Sequence, residues 1–323
     1  MKILVVGAGV VGSFNAARLK DAAQDVTLLA RGQRLADLRE HGVVLEQYPS
    51  GTRTTTRVPL IERLGPEDAY DLVLVVVRRN QIPSVLPMLA RNRRSPNVLF
   101  LGNNGAGAAD IIDALGRERV LIGFVNAGGE RKGHVVRYIW TRRLHLLLGE
   151  VDGLSTPRTQ AIASMFRTAG LPARVHSRVD AYLKTHAAGL AAFAGALYRA
   201  GGRVRLLARK PEDLKLFLRA YREALRALGR IGVPLRPWFS HLIHWLPERF
   251  WLLVFRLFFD TELAVVGGEG HANAAPDEMK EIADELRALF RRAAVPSPAS
   301  DILFTAVDDR FETWRSEHTT DGR

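Results

Sequence analysis

The chain has 323 residues, of which 47% are hydrophobic and 25% charged, with 28 Gly, 15 Pro and no Cys. This excludes a mini-protein, a disordered chain and a collagen-like repeat, and the length suits two domains with real cores. Without cysteine there is no disulfide framework, thiolate zinc site or cysteine nucleophile, which fits a reducing, cytoplasmic setting. The formal net charge is +12, a value that invites a nucleic-acid reading. The charge is mostly arginine and is spread out, with local clusters at Arg78-Arg79, Arg91 to Arg94 and Arg203 to Lys210. No basic tail, zinc-finger pattern or RNA-recognition signature accompanies it. A solvated, arginine-biased surface and no nucleic-acid partner are therefore expected.

In chain order, Lys2 to Val6 is an apolar strand, followed by Gly7-Ala8-Gly9-Val10-Val11-Gly12 and a helical pattern from Ser13 to Ala22. The start carries no basic n-region with a cleavage site, so no signal peptide is expected. Val26 to Ala30 is a second strand, Leu35 to Glu40 is helical, and Val43 to Leu60 reads as a hairpin around Pro49-Ser50-Gly51. Asp71 to Arg78 holds a fully apolar strand of the kind buried in a parallel sheet. Ile82 to Ala90 (helix), Asn97 to Gly102 (strand), Ala109 to Leu115 (helix) and Val120 to Val125 (strand) continue the alternation. His134 to Ile139 and Arg143 to Gly149 look like antiparallel additions. After His176 the texture turns helical: Val179 to Ala200, Pro211 to Ile231, Leu242 to Phe259 and Pro276 to Ala294. Two of these helices open with Pro and then acids, which suit the positive end of the helix dipole.

The expected fold is α/β: a Rossmann-type, doubly wound parallel sheet over residues 1–175 that binds NADP, then an all-helical substrate and catalytic domain over residues 176–323. Phe250 to Phe259 is far shorter than the ~20 apolar residues of a membrane span and is interrupted by Arg256. It reads as a buried helix or one at a subunit interface, which leaves a homodimer open. His241 and His244 are three apart but lack a second ligand pair, so no metal is expected.

Gly7-x-Gly9-x-x-Gly12 follows a strand and opens a helix, the setting in which such glycines admit a dinucleotide's pyrophosphate to the helix N-terminus. The second strand ends Leu29-Ala30-Arg31-Gly32-Gln33-Arg34. An NAD site usually carries a carboxylate there, on the ribose hydroxyls. Here two guanidiniums are present instead, and arginine can clamp a 2′-phosphate with paired donors. NADPH is therefore the expected cofactor, with Gly7, Ala8, Gly9, Val10, Val11, Gly12 and Arg31 at its site.

With KILVVGAGVVG, Arg31, the strand ending at Arg78, Asn104-Gly105, the run from Gly123 to Gly129 and Val179 to Lys184, the chain resembles the ketopantoate reductase (2-dehydropantoate 2-reductase) family. The resemblance implies NADPH-dependent reduction of a 2-keto acid or related carbonyl. Lys184 would be the catalytic proton donor, Asn104 would touch both cofactor and substrate, and Arg78 and Gly128 would lie on the cofactor. A lysine suits that role, because an ammonium can stabilise and protonate the oxygen that gains charge as hydride arrives. The family carries asparagines one and two turns after the lysine, where this chain has Ala188 and Ala192. That implies an apolar wall and a larger, greasier substrate than ketopantoate. The family also has a substrate-binding glutamate before its last long helix. Here the stretch from Gly270 to Pro276 offers His271 and Asn273, with Glu269 nearby, so Asn273 is the substrate candidate. Two other functions compete: an opine- or imine-type C–N dehydrogenase, and a non-catalytic dinucleotide-binding protein with a basic nucleic-acid-binding surface.

Overall fold

The computed structural model describes residues 1–125 and 127–319. The chain forms two compact units: residues 1–102 with 108–180, and residues 103–107 with 181 onward. The helical unit thus begins at Ala181, a few residues beyond the expected position, and it takes in a five-residue loop from the middle of the α/β sequence.

The first unit runs β1 (Lys2–Val6), α1 (Val10–Asp21), β2 (Asp25–Leu29), α2 (Gly32–His41), β3 (Val43–Gln47), β4 (Thr52–Thr56), β5 (Leu60–Ile61), β6 (Leu72–Val75), α3 (Ile82–Arg91) and β7 (Val98–Leu101). It continues through α4 (Ala109–Leu115), β8 (Val120–Phe124), β9 (Gly128–Lys132), β10 (Val135–Ile139), β11 (Leu146–Glu150), α5 (Pro157–Thr168) and β12 (Ala173–Val175). The main sheet has the order β12-β11-β8-β7-β6-β1-β2-β5. β1 lies between β2 and β6, parallel to both, with Val6 opposite Leu29 on one side and Val75 on the other. Covered on both faces, Ile3 to Val6 are at most 1% exposed, which is why β1 reads as an unbroken apolar run. The chain leaves β1 toward β2 and later returns to β6 on its other side. This makes the C-terminal end of β1 the switch point where ligands of such sheets bind.

β11 runs antiparallel to β8, as expected. β10 instead belongs to a second sheet of order β4-β3-β10-β9. That sheet packs on α1, and the Tyr138 ring lies 4.9 Å from Phe14. The hairpin expected around Gly51 is the β3–β4 pair.

The second unit contains α6 (Val179–Arg199) from Ala181, then α7 (Val204–Leu207), α8 (Pro211–Arg230), α9 (Leu242–Trp245), α10 (Glu248–Phe259), α11 (Gly270–Ala274), α12 (Pro276–Ala293) and α13 (Pro298–Thr319). A π-helical turn spans Ala264–Glu269. Its core gathers Leu197, Leu218, Leu225, Met279, Leu286 and Leu303. The helix expected over Leu242 to Phe259 is two helices, because Pro247 provides no N–H and cannot continue the ladder from α9. Nor is α10 the buried helix that its composition suggested. Phe259 is 3% exposed, but Phe250, Leu253, Leu257 and Phe258 are 44–64% exposed. No helix among the described residues is long and apolar enough to cross a membrane.

Candidate active site

The turn from β1 into α1 shows a separate physical reason for each glycine. Gly7 has φ +110°, and a Cβ there would lie 2.3 Å from the Val76 carbonyl oxygen. At Gly12 a Cβ would lie 1.8 Å from the Gly7 carbonyl oxygen, so the helix closes on the strand only without a side chain. A Cβ on Gly9 meets nothing within 4 Å; this glycine leaves open space beside the backbone. α1 has no acid in its first turn, and its N-cap, Gly9, makes no side-chain cap. The first N–H groups of the helix are thereby left for an anion. Ala8, Val10 and Val11 complete the loop. These residues fit the pyrophosphate of a dinucleotide.

The two guanidiniums after β2 part company. Arg31 is exposed, with Nη2 3.7 Å from the Met88 sulfur, a weak acceptor. It stands at the N-cap of α2. Arg34 is drawn inward instead. Its Nε donates to the Ala8 carbonyl at 3.0 Å, Nη2 to Ser13 Oγ at 3.0 Å and Nη1 to the His134 carbonyl at 3.2 Å. Burial, with the nearby charge of Arg131, pushes its pKa down to about 10, against the pull of Asp37.

The neighbouring pair Arg78-Arg79 also divides. Arg78 is half-buried; its backbone N–H donates to Gln81 Oε1 at 3.2 Å. Arg79 is 7% exposed and pairs with Asp110 at 3.0 Å, a structural role. Gly128 opens β9 opposite Ile139. Its neighbour Gly129 is required by the sheet, since a Cβ there would lie 2.1 Å from the Arg137 carbonyl. Asn126, part of the motif quoted above, lies outside the described residues.

In the helical unit the loop Asn103–Gly107 is held by two carboxylates. Asn103 Nδ2 donates to Glu278 Oε1 at 3.1 Å. Glu285 Oε2 accepts from the Gly105 and Ala106 N–H groups at 2.8 and 3.1 Å. Asn104 is 6% exposed, and its Oδ1 accepts from the Gly107 N–H at 2.7 Å. That fixes the flip of the amide. Lys184 sits half-buried in the second turn of α6. One residue on, Thr185 Oγ1 donates to the Ala181 carbonyl and accepts from the Arg236 N–H. His186 has its pKa pushed down to about 4, by burial first and by the charge of His271 second, with Glu278 acting the other way.

One expectation needs correction. Ala188 and Ala192 are 0% and 2% exposed, sealed in the helical core. They form no open apolar wall, because that face of α6 is used for packing. The Asn273 Nδ2 donates to the Gly202 carbonyl at 2.8 Å, and Glu269 accepts from the Val204 N–H at 2.7 Å. The carboxylate missed in the sequence is Glu278, in the first turn of α12 and 3% exposed, with Oε2 3.3 Å from His271 Nε2. In sequence it looks like one more acid at a helix start; only the fold shows it buried against Asn103. No group of three or more His, Cys, Asp or Glu among the described residues could hold a metal.

Comparison with known proteins gives the setting. The family model "Ketopantoate reductase PanE/ApbA" matches residues 3–153. The 2-dehydropantoate 2-reductase of Halobacterium salinarum is 29% identical over 177 residues, 54% of this chain and 57% of that protein. The chain thus spans a little over half the length of that curated relative. Among solved structures, D-mandelate dehydrogenase with NADH and anilino(oxo)acetate superposes with a TM-score of 0.79 at 17% identity, over 97% of this chain and 99% of that one. The dimeric ketopantoate reductase of Staphylococcus aureus gives 0.72 at 13% identity, over 97% and 99%. At such identities these structures establish the fold, a Rossmann-type sheet followed by helices. The glycine turn at the switch point and the sequence match agree: residues 3–153 are similar to the ketopantoate reductase PanE/ApbA family of oxidoreductases.

Proposed function

We propose that the protein is an NADPH-dependent reductase of a 2-keto acid or related carbonyl, with Lys184 as the proton donor. The observation that carries this reading is the β1–α1 turn, whose glycines are sterically compelled at Gly7 and Gly12 and leave open space at Gly9. The bound dinucleotide supplies the hydride. The N–H groups of Gly9 to Gly12 hold its pyrophosphate. The exposed Arg31, at the positive end of α2, clamps the 2′-phosphate with paired donors, and Arg78 and Gly128 lie along the rest of the cofactor.

On the substrate side, Asn104 presents its NH2 to the carbonyl compound and the nicotinamide amide. The Lys184 ammonium stabilises the charge developing on the ketone oxygen and then gives that oxygen its proton. Glu278 takes the part that the resemblance assigns to a glutamate, accepting from a donor of the substrate. D-mandelate dehydrogenase, a structural relative named for an aromatic 2-hydroxy acid, directs the substrate search to 2-keto acids with bulky side chains. The same reading includes a homodimer, as for the S. aureus enzyme.

Steady-state kinetics with NADPH over a panel of 2-keto acids tests the proposal. Lys184→Ala should lower kcat by about 100-fold or more, in the range of a lost general acid, while the Kd of NADPH changes little. Its charge matters most as the oxyanion forms. A Lys184→Ala variant that keeps its kcat would remove the proton donor from the account.

A further inference from the structure

Arg34 looks in sequence like a second clamp for a 2′-phosphate. Its donors point elsewhere. A guanidinium offers two edges for paired hydrogen bonds to an oxyanion, Nε with one Nη and the two Nη together. Arg34 uses the first on the Ala8 carbonyl and Ser13 Oγ, and places Nη1 on the His134 carbonyl. Both edges are engaged by the protein, and the group is partly buried, with its pKa lowered to about 10.

The acceptor is the telling part. Ala8 lies between the first two glycines of the phosphate loop, and its carbonyl also accepts from Ser13 Oγ at 3.1 Å. A glycine-flanked peptide can rotate readily, and rotation would turn a carbonyl oxygen where an N–H is needed. Two donors on one oxygen, one of them charged, oppose that rotation. Ser13, in the first turn of α1, and His134, in the β9–β10 turn, give the guanidinium fixed points on either side.

We propose that Arg34 is the positioning residue of the phosphate loop: it holds the Ala8 carbonyl so that the N–H groups of Gly9 to Gly12 face the pyrophosphate, and it takes no part in reading the ribose. This rests on the dinucleotide reading above and deepens it, since it leaves Arg31 alone of the two arginines to select NADPH.

The experiment titrates NADPH and NADH separately against the wild-type protein, Arg31→Ala, Arg34→Ala and Arg34→Lys, well below each protein's melting temperature. Arg34→Ala should weaken both cofactors by the same factor, on the order of tenfold for lost charge-assisted contacts, with the NADPH:NADH ratio unchanged. Arg34→Lys should recover only part of this, because an ammonium cannot reach three acceptors lying in one plane. Arg31→Ala should collapse the ratio and spare NADH. If Arg34→Ala does not fold, Ser13→Ala removes one brace and should shift both affinities in parallel. An Arg34→Ala that loses NADPH affinity alone would make Arg34 a 2′-phosphate ligand and overturn the proposal. Unchanged affinities for both cofactors, as for a strut that serves only stability, would overturn it too. A wild-type protein that binds neither cofactor would sink the dinucleotide reading itself, and this proposal with it.

Discussion

At the scale of single residues, what mattered in the sequence was the residue type, and what it could not show was where each side chain's donors go. The glycines of the phosphate loop were legible because their need is local: a strand, a tight turn and a helix meet within six positions. Arg31 and Arg34, three apart, were indistinguishable until the fold placed one in solvent and wound the other round the Ala8 carbonyl. Glu278 was hidden because its partner Asn103 lies 175 residues away. The alanines at 188 and 192 misled for the same reason. Helical spacing puts them on one face with Lys184, but says nothing about whether that face is open.

His186 gives a test at this scale. Its folded pKa of about 4 lies below the ordinary value of 6.5, so the unfolded chain binds a proton at a pH where the folded one does not. The stability tied to the neutral imidazole is complete above about pH 6.5 and is lost as pH falls from there toward 4. By linkage the loss is on the order of 2 to 3 kcal/mol. Urea unfolding between pH 7 and 4.5 should show this fall in the wild type and a flatter profile in His186→Leu. Parallel profiles would contradict the burial argument.

At the scale of elements, periodicity served well wherever an element buries a face. β1, β6 and β7 are continuous apolar runs because they are interior strands, and α8 and α12 announce themselves by amphipathic spacing and proline at the first turn. α5 and α13 went unread. α13 in particular owes its start to a residue that no local pattern contains. Glu223 of α8, 4% exposed, accepts from the Ala299 and Ser300 N–H groups at 3.0 and 2.9 Å and from Ser300 Oγ at 2.7 Å. A buried carboxylate thus caps the helix from across the unit. Glu223→Ala would strand two N–H groups without acceptors, at about 1–3 kcal/mol for each, while the Ser300 hydroxyl would keep the Ala220 carbonyl at 3.4 Å. Guanidinium denaturation should show a loss of at least about 2 kcal/mol, and a loss under 1 would mean that water replaces the cap freely.

At the scale of the whole molecule, the two-part organisation was legible from the change of texture after His176. The assignment of Asn103–Gly107 to the helical unit was not, because its ties are to Glu278 and Glu285 far along the chain. Trp238, Phe239, Trp245, Phe250, Leu253 and Leu257 are 44–81% exposed within one stretch. Large apolar side chains left exposed in such number mark a candidate interaction surface. Phe250, Leu253 and Leu257 form one stripe on α10, and this is the face on which the proposed homodimer would close. Sedimentation of the wild type should give a dimer, and Leu253→Glu with Leu257→Glu a monomer. A wild type that stays monomeric at high protein concentration would leave the stripe unexplained by self-association.

The central claim is that the glycine loop holds NADPH and that this chain passes its hydride to a 2-keto acid with the help of Lys184. The most direct measurement is single-turnover oxidation of NADPH, mixed in equal amount with the protein and an excess of each 2-keto acid in turn, for wild type and Lys184→Ala side by side. The account predicts that bound NADPH is consumed with at least one keto acid in the wild type and persists, still bound, in Lys184→Ala. NADPH that binds the wild type and is oxidised by none of the keto acids, or is oxidised equally fast without Lys184, would contradict it.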